Sequence, residues 1–322
     1  MQPSGELHIG NWLGALRQWV ELARDGSRET VFCVVDAHAI TVDYEPAELP
    51  ARVFEAAISY LAAGIDPRTS TIFVQSDVRQ HTELAWYLAT CAQMGELQRM
   101  TQFKDKAEQH KHNVNTALFT YPVLMAADVL AYKATLVPVG DDQVQHLELA
   151  RDIARRFNQR FGEVFPEPMP RLSKAPRIMG LDGAAKMSKS KGNTIALSES
   201  AETAWNKLKR AFTDPQRLRR TDLGRPEVCN IFTMHKAITP DEKVAEIDRE
   251  CRVAGIGCGD CKKLLFDNLM TELGPIQESL RSWRSRPEDV RDILREGADR
   301  CRTIAETTLV EVRRHMGLGA SF

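Results

Sequence analysis

The chain has 322 residues, of which 43% are hydrophobic and 27% are charged. This composition is that of a globular protein and excludes a disordered or collagen-like chain. The formal net charge is −1, from 43 Lys and Arg against 44 Asp and Glu, so any nucleic-acid partner must be bound by local basic patches.

The cysteine count and the apolar windows indicate the cellular location of the protein. No stretch near the start combines a basic run, an apolar core and a cleavage site, so we expect no secretion signal. The most apolar long window, 118–140, contains Asp128 and Lys133, which would be destabilising at the centre of a bilayer. We interpret this window as buried core and expect no membrane partner. Seven cysteines, an odd number, argue against a disulfide framework and predict a cytoplasmic location.

Apolar runs and helical patterns alternate in the first 190 residues. Short runs rich in β-branched residues predict buried parallel strands at 30–36, 71–75 and 135–139. Helical patterns occupy 12–20, 46–63, 82–95 and 141–157, and Gly64 is the predicted stop of the second. This alternation predicts an α/β fold with a doubly wound parallel sheet, which binds ligands outside the carboxyl ends of its strands.

Helical patterns alone continue after residue 193. The predicted helices cover 199–212, 241–253, 262–273, 276–283 and 288–316, and Gly317 ends the last of them. We therefore predict two domains, a nucleotide-binding domain at 1–192 and an all-helical domain at 193–322.

Two loops carry residues suited to phosphate chemistry. Residues 2–11 (QPSGELHIGN) consist of turn residues followed by the start of an amphipathic helix. The free N–H groups and the dipole at a helix start favour an anion. Residues 182–193 contain KMSKS, a cationic loop that could close on a polyphosphate. Each loop alone has a plain structural interpretation, a turn in one case and a solvated loop in the other. Their joint occurrence favours the functional interpretation.

These loops resemble the HIGH and KMSKS signatures of class I aminoacyl-tRNA synthetases. Within that class, the chain is similar to the bacterial-type tryptophanyl-tRNA synthetase family. Further matching segments are 94–103 (MGELQRMTQF), 125–128 (MAAD) and 140–152 (GDDQVQHLELARD). The family has a strand before the first loop, so we expect the natural protein to begin several residues upstream of Met1.

The resemblance implies a fold, a reaction and partners. The fold would be a Rossmann-type sheet followed by a helical anticodon-binding domain. The reaction would activate L-tryptophan with ATP and transfer it to tRNA(Trp), with Mg²⁺ as co-reactant and a homodimer as the active form. No protein nucleophile is needed, so catalysis would be positioning and charge stabilisation.

The resemblance also assigns site residues. The catalytic residues would be Lys186, Lys189, His8 and Gln2. The ATP site would be lined by residues of the two loops and of two segments between them: Gln2, Pro3, Ser4, Gly10, Asn11, Gly140, Asp141, Asp142, Ile178, Lys186, Met187, Ser188, Lys189 and Ser190. Ile178 could equally be plain core.

An indole ring has one polar group, an N–H that can only donate a hydrogen bond. A tryptophan pocket therefore needs one acceptor within apolar walls, and the resemblance makes Asp128 that acceptor. Without the family, a surface or capping carboxylate would be the preferred interpretation of Asp128. The other implied tryptophan contacts are Met125, Tyr121, Gln143, Val137, Val139 and His38. For His38 the alternative is a satisfied core histidine.

Four late cysteines, Cys229, Cys251, Cys258 and Cys261, include a C-x-x-C pair that we expect to lie between two helices. Four converging thiolates suit a [4Fe-4S] cluster or zinc. A subset of the family carries such a cluster, which favours iron–sulfur over zinc, and four unrelated thiols remain the alternative.

Basic residues offer a surface for tRNA, and three runs stand out: Lys207, Lys209 and Arg210; Arg217, Arg219 and Arg220; Arg313 and Arg314. Two other functions stay open. One is another adenylylating enzyme of the superfamily, which the matching segments and the long helical half disfavour. The other is a non-canonical paralogue that binds tryptophan, ATP or tRNA in a regulatory role.

Overall fold

Two pairs of parallel strands form the sheet layer of the protein. A computed structural model of the chain describes residues 1–3, 5–109, 112–172, 178–185, 187–188 and 191–319. Strand β1 (Thr30–Val34) pairs with β2 (Ser70–Val74), placing Phe32 opposite Ile72. Strand β3 (Leu136–Val139) pairs with β4 (Met169–Leu172), placing Val137 opposite Pro170. Within these ranges the two pairs are separate sheets rather than one continuous sheet.

Helices connect and cover the strands. In chain order the described α-helices are α1 (Ile9–Asn11), α2 (Arg17–Asp25), α3 (Asp36–Ala39), α4 (Leu49–Ala63), α5 (Gln80–Ala89), α6 (Met94–Arg99), α7 (Thr101–Gln109), α8 (Thr116–Leu130), α9 (Val144–Phe161), α10 (Ala201–Arg210), α11 (Asn230–Ile238), α12 (Asp241–Arg252), α13 (Cys258–Arg284) and α14 (Pro287–Met316). A π-helical turn, Trp12–Leu16, joins α1 to α2. Short 3₁₀ turns lie at Gln75–Asp77, Asp141–Gln143 and Pro226–Val228.

The alternation of parallel strands with crossover helices is the predicted Rossmann-type arrangement. All three predicted strands form, and α4 ends at Gly64 in the left-handed conformation, as expected. Within the apolar window at 118–140, the part that forms α8 is confirmed as core, because Leu118, Ala126 and Leu130 are completely buried, whereas residues 132–140 are half-buried or exposed. Among the described residues, no helix combines the length and apolar character needed to cross a membrane.

Several details differ from the sequence-based prediction. The helices expected at 262–273 and 276–283 are one helix, α13, with Pro275 inside it. Cys258 and Cys261 lie in the first turn of that helix, not between two helices. The helix expected at 82–95 ends at Ala89, and a turn separates it from α6.

Two hydrophobic cores hold the helices and strands together. The first contains Leu13 from the π-helical turn, Ile72 from β2 and Leu273 from α13. The second contains Leu130 from α8 and Leu309 from α14. Both cores therefore include side chains from before and after residue 192. Helix α14 packs along β2, and α13 packs along α4.

Candidate active site

The first loop is fixed by reciprocal capping at the start of α1. The Gly10 N–H donates to His8 Nδ1 (3.2 Å), and the His8 N–H donates to Asn11 Oδ1 (3.0 Å). A neutral His8 ring that accepts at Nδ1 carries its proton on Nε2, which is then a donor. A Cβ at position 10 would lie 3.0 Å from the His8 ring, so glycine allows this close approach. The Gln2 amide donates to the carbonyl of His38 at 3.2 Å.

The first loop meets the second despite about 180 intervening residues. The Ile9 N–H donates to Ile195 O (3.0 Å), and the Leu197 N–H donates to Leu7 O (2.8 Å). A Cβ at Gly10 would lie 3.4 Å from Met187 Cβ, so the two motifs are in contact. Four predicted site residues lie outside the described residues: Ser4, Lys186, Lys189 and Ser190.

Asn193 organises the second loop, a role that sequence reasoning missed. It is buried, and its Oδ1 accepts from the Ser188 N–H at 2.8 Å. Its Nδ2 donates to Asp182 Oδ2 at 2.9 Å. Ile178 and Met187, both assigned to the ATP site, are buried in the first core. The loop therefore has a defined base formed by Asn193.

The acidic segment after β3 lies at the carboxyl end of that strand, where doubly wound folds bind ligands. Gly140 is extended, and the 3₁₀ turn Asp141–Gln143 follows it. Asp141 and Asp142 are exposed, and Gln143 donates to Asp142 Oδ2 at 3.3 Å. Val137 and Val139 are half-buried on β3 itself.

Asp128, on α8, is surrounded by hydrogen-bond donors. His38 Nε2 lies 2.7 Å from Oδ2, while His81 Nδ1 and Gln75 Nε2 each lie 2.6 Å from Oδ1. Burial alone would raise the pKa of Asp128, but His38 and His81 outweigh it and hold that pKa below its usual range. Asp128 is therefore an ionised acceptor in a largely buried position. His81 and Gln75 were not predicted, since no local pattern relates them to Asp128.

Tyr121 lies beside the His38 ring, which in turn contacts the Asp128 carboxylate. The two rings are 6.2 Å apart and edge-on, and Tyr121 Oη lies 2.8 Å from His146 Nε2. Burial lowers the pKa of His146 to about 4, so the ring is neutral and can accept the Tyr121 proton. The Tyr121 oxygen then keeps acceptor capacity for another donor. Lys106 Nζ lies 4.5 Å from the centre of the Tyr121 ring. Met125 is half-buried on the same helix, α8.

The four late cysteines converge on one cavity, which Arg217 also lines. All four are free thiols, and an Arg217 guanidinium N–H donates to Cys251 Sγ at 3.5 Å. Burial raises the pKa of the Cys261 thiol to about 12, with the other three thiols acting in the same direction. Yet across the described ranges, no group of three or more His, Cys, Asp or Glu has the geometry to hold a metal ion. The soft donor set suits a metal, while the thiols are not arranged as its ligands.

Some of the basic residues expected at a tRNA surface are structural. Arg217 is buried and donates to the carbonyls of Asp222 and Ile256 at 2.9 and 2.7 Å. Arg313 pairs with Glu83 and Glu306. Arg219 and Arg220 are exposed beside the start of α13.

Comparison with known proteins gives a consistent result. The family model of class I tRNA synthetases (W and Y) matches residues 1–274. The tryptophan–tRNA ligase of Deinococcus radiodurans is 47% identical over 98% of this chain and 97% of its own length. That of Thermotoga maritima is 44% identical over 99% and 98%. The crystal structure of tryptophanyl-tRNA synthetase from Campylobacter jejuni, complexed with ADP and tryptophan, superimposes with a TM-score of 0.84 at 35% identity, covering 99% of this chain and 98% of that one.

Proposed function

Because this chain belongs to the class I tRNA synthetases of the W and Y family, as its motifs predicted, we propose that it ligates L-tryptophan to tRNA(Trp) using ATP. The observation that carries the choice of amino acid is the ionised Asp128 carboxylate on an otherwise apolar helix segment. An indole N–H is a donor only, so a fixed acceptor is the group that recognises it.

The reaction has two steps. The tryptophan carboxylate attacks the α-phosphorus of ATP, and pyrophosphate leaves, which gives tryptophanyl-adenylate. A ribose hydroxyl of the terminal adenosine of the tRNA then attacks the activated carbonyl, and AMP leaves. The enzyme has to align the reactants and stabilise developing phosphate charge.

The ATP site comprises the two loops in contact and the segment after β3. Gln2, Pro3, Ser4, Gly10 and Asn11 lie along the nucleotide, with Gly140, Asp141 and Asp142 near the ribose and Ile178 near the adenine. The second loop, Lys186, Met187, Ser188, Lys189 and Ser190, neutralises the phosphates together with Mg²⁺ that enters with ATP. His8, which caps α1 through its Nδ1 atom, is assigned to the same site.

The tryptophan site is centred on Asp128 and Tyr121. Asp128 accepts the indole N–H, and His38 holds the carboxylate beside it. Tyr121 and Gln143 accept from the ammonium group, because the Tyr121 proton is already engaged by His146. Met125, Val137 and Val139 form the walls.

Tryptophan-dependent exchange of pyrophosphate into ATP tests the first step, and charging of tRNA(Trp) tests the second. We expect exchange with tryptophan and at least a hundredfold less with tyrosine or phenylalanine. Asp128→Ala should raise the tryptophan KM strongly while the ATP KM changes little. Tryptophan binding without exchange or charging would instead indicate a regulatory paralogue.

Residues 193–322 are the region that contacts the anticodon end of the tRNA. The exposed Arg219 and Arg220 beside the start of α13 support this proposal. Replacing both by Ala should weaken tRNA charging several-fold and leave pyrophosphate exchange unchanged. An unchanged charging KM for tRNA would contradict this assignment.

We also propose that the four converging cysteines rearrange to hold a [4Fe-4S] cluster, with zinc as the alternative, since in the part of the chain that the structure describes the thiols are not arranged as ligands. Their soft sulfur donors and the Arg217 cation beside Cys251 support a site for a cluster with anionic ligands. Such a group would be structural, joining the turn before α11 and the end of α12 to the first turn of α13.

The active form is a homodimer in the cytoplasm. Trp86 on α5 and Met94 on α6 are 76% and 63% exposed, and burying them against a second copy would be favourable. The seven free cysteines suit a reducing compartment. Light scattering should give twice the chain mass, and Trp86→Glu should give monomers. Val310→Glu, an exposed position on α14, is the matched control, and loss of the dimer in both variants would contradict this interface.

A further inference from the structure

Among the residues that the structure describes, the neighbours of Asp128 leave one acceptor position of its carboxylate open. Each carboxylate oxygen has two in-plane acceptor sites. Oδ1 accepts from both Gln75 Nε2 and His81 Nδ1, each at 2.6 Å, which fills its two sites. Oδ2 accepts from His38 Nε2 at 2.7 Å, which fills one. The remaining site is on Oδ2.

The His81 ring is held between two partners, Asp128 and Tyr132. An ionised carboxylate can only accept, so His81 Nδ1 must carry a proton. On the other side of the ring, Nε2 lies 2.6 Å from Tyr132 Oη. This second contact holds the far side of the ring while Nδ1 donates to Asp128. Tyr132 interacts in turn with the Cys301 thiol on α14, whose pKa is raised to about 11 by burial.

Burial restricts the motion of these polar side chains. His81 and Gln75 are each 1% exposed, and Cys301 is fully buried. The Phe73 ring packs beside both His81 and Tyr132, with ring centres 5.6 and 5.8 Å away. These hydrogen-bonded side chains therefore hold the Asp128 carboxylate in one orientation, because any rotation would break buried hydrogen bonds.

We propose that His81 is a specificity-determining positioning residue: with Gln75 it occupies Oδ1 of Asp128 and so directs the open acceptor site of Oδ2 at the indole N–H. This inference rests on the proposed function, in which Asp128 accepts that N–H. His81 does not contact the substrate. It acts through Asp128, and Tyr132 acts through His81.

The test compares tryptophan with β-(benzothiophen-3-yl)alanine, a near-isostere whose ring sulfur replaces the N–H. In pyrophosphate exchange, His81→Leu should lower kcat/KM for tryptophan roughly 10- to 100-fold, the loss of one hydrogen bond to a charged group. The same variant should change kcat/KM for the analogue and the ATP KM less than threefold. The ratio that discriminates the two amino acids should therefore fall 10-fold or more.

Two further variants keep the result interpretable if His81→Leu folds poorly. His81→Asn can retain a donor toward Oδ1 and should restore most of the ratio. Tyr132→Phe removes the hydrogen bond at Nε2 and should lower the ratio by a smaller factor. His235→Asn, at another buried histidine with two hydrogen-bond partners, is the matched control and should leave the ratio unchanged.

The outcomes separate this inference from the proposed function. If Asp128→Ala leaves the ratio unchanged, the assignment of Asp128 fails and the proposal fails with it. If Asp128→Ala abolishes discrimination while His81→Leu and Tyr132→Phe do not alter it, the positioning role alone is wrong. An equal loss for both amino acids and for ATP in His81→Leu would show a merely structural role and overturn the inference.

Discussion

The indole N–H of Trp12 donates a hydrogen bond of 2.7 Å to the Glu272 carboxylate, across 260 residues of sequence. Glu272 also accepts from Arg17 at 3.3 Å, and Arg17 donates to the Ala237 carbonyl at 2.9 Å. Trp12 directly follows the first loop (residues 2–11), and Glu272 lies on α13. This hydrogen bond therefore joins α13, in the helical half of the protein, to the π-helical turn that follows the first loop.

Replacing Glu272 by Ala should destabilise the protein and weaken ATP binding. The change leaves the buried Trp12 N–H without its acceptor and removes one of the acceptors of Arg17, which costs about 1–3 kcal/mol. Urea unfolding and the ATP KM are the measurements. Glu278→Ala, at an exposed position on the same helix, is the control. Equal stability of the two variants would show that the Trp12 contact contributes nothing.

Replacing Asn193 by Ala should slow adenylate formation. The Ser188 N–H and the Asp182 carboxylate would each lose one hydrogen bond, so the second loop would be held less firmly against the nucleotide. We expect kcat for pyrophosphate exchange to fall about 10-fold or more while tryptophan affinity is retained. Asn206→Ala, at an exposed position on α10, should behave as wild type. Wild-type kcat in Asn193→Ala would refute the role.

Removing the C-x-x-C pair tests the proposed cluster. Protein purified without oxygen should be brown and contain about four irons per chain. Cys258→Ser with Cys261→Ser should lose the iron and weaken tRNA charging more than pyrophosphate exchange. Cys91→Ser, at a buried thiol in the second core, is the control for a plain cysteine replacement. Colourless, metal-free protein with normal charging would eliminate the cluster.

Protonation of His235 should make stability fall in mild acid. Burial lowers the pKa of His235 to about 4, whereas the unfolded chain has a pKa near 6.5. Between these values the unfolded state binds the proton first, so the stability present above pH 6.5 is lost as the pH falls toward 4. At pH 5 the loss amounts to roughly 2 kcal/mol. Urea unfolding at pH 7.5 and pH 5 should show a smaller difference for His235→Gln, and an identical difference would contradict the assignment.

Adding a methyl group at Gly297 should disrupt the contact between α14 and β2. A Cβ there would lie 1.9 Å from the Ile72 carbonyl oxygen, so the helix would have to move away from the strand. We expect Gly297→Ala to lower the free energy of unfolding by about 2 kcal/mol or more. At Gly274 on α13 a Cβ meets no atom within 4 Å, so Gly274→Ala should raise stability by about 0.5–1 kcal/mol. The same sign for both would refute the packing argument.

Local patterns predicted most of the helices and strands, and the exceptions have physical reasons. Strand β4 was missed because its four residues are largely exposed and include Pro170, so no apolar run marks it. The gap between the helices predicted at 262–273 and 276–283 contains Pro275. The helix continues through it because Leu273 and Ile276, on either side, are both buried in the first core. Tertiary packing outweighs the missing backbone donor at that position.

The candidate site was predictable where it follows motifs and unpredictable where it depends on long-range contacts. The family resemblance supplied Asp128, and the two loops were recognised from their phosphate-binding residue types. His81 lies 47 residues from Asp128 and Asn193 lies 11 from Asp182. Their roles arise only when distant side chains meet in the folded chain, and no periodicity or spacing encodes such meetings.

The position of α14 also bears on how the protein matures on the ribosome. This helix covers β2, a strand whose five residues are all buried, yet it begins more than 200 residues later in the chain. Until α14 has been synthesised, one face of an early strand remains open to water and to other nascent chains. We therefore expect the catalytic half to depend on chaperones during translation, and to reach its final stability only after the last helix has emerged.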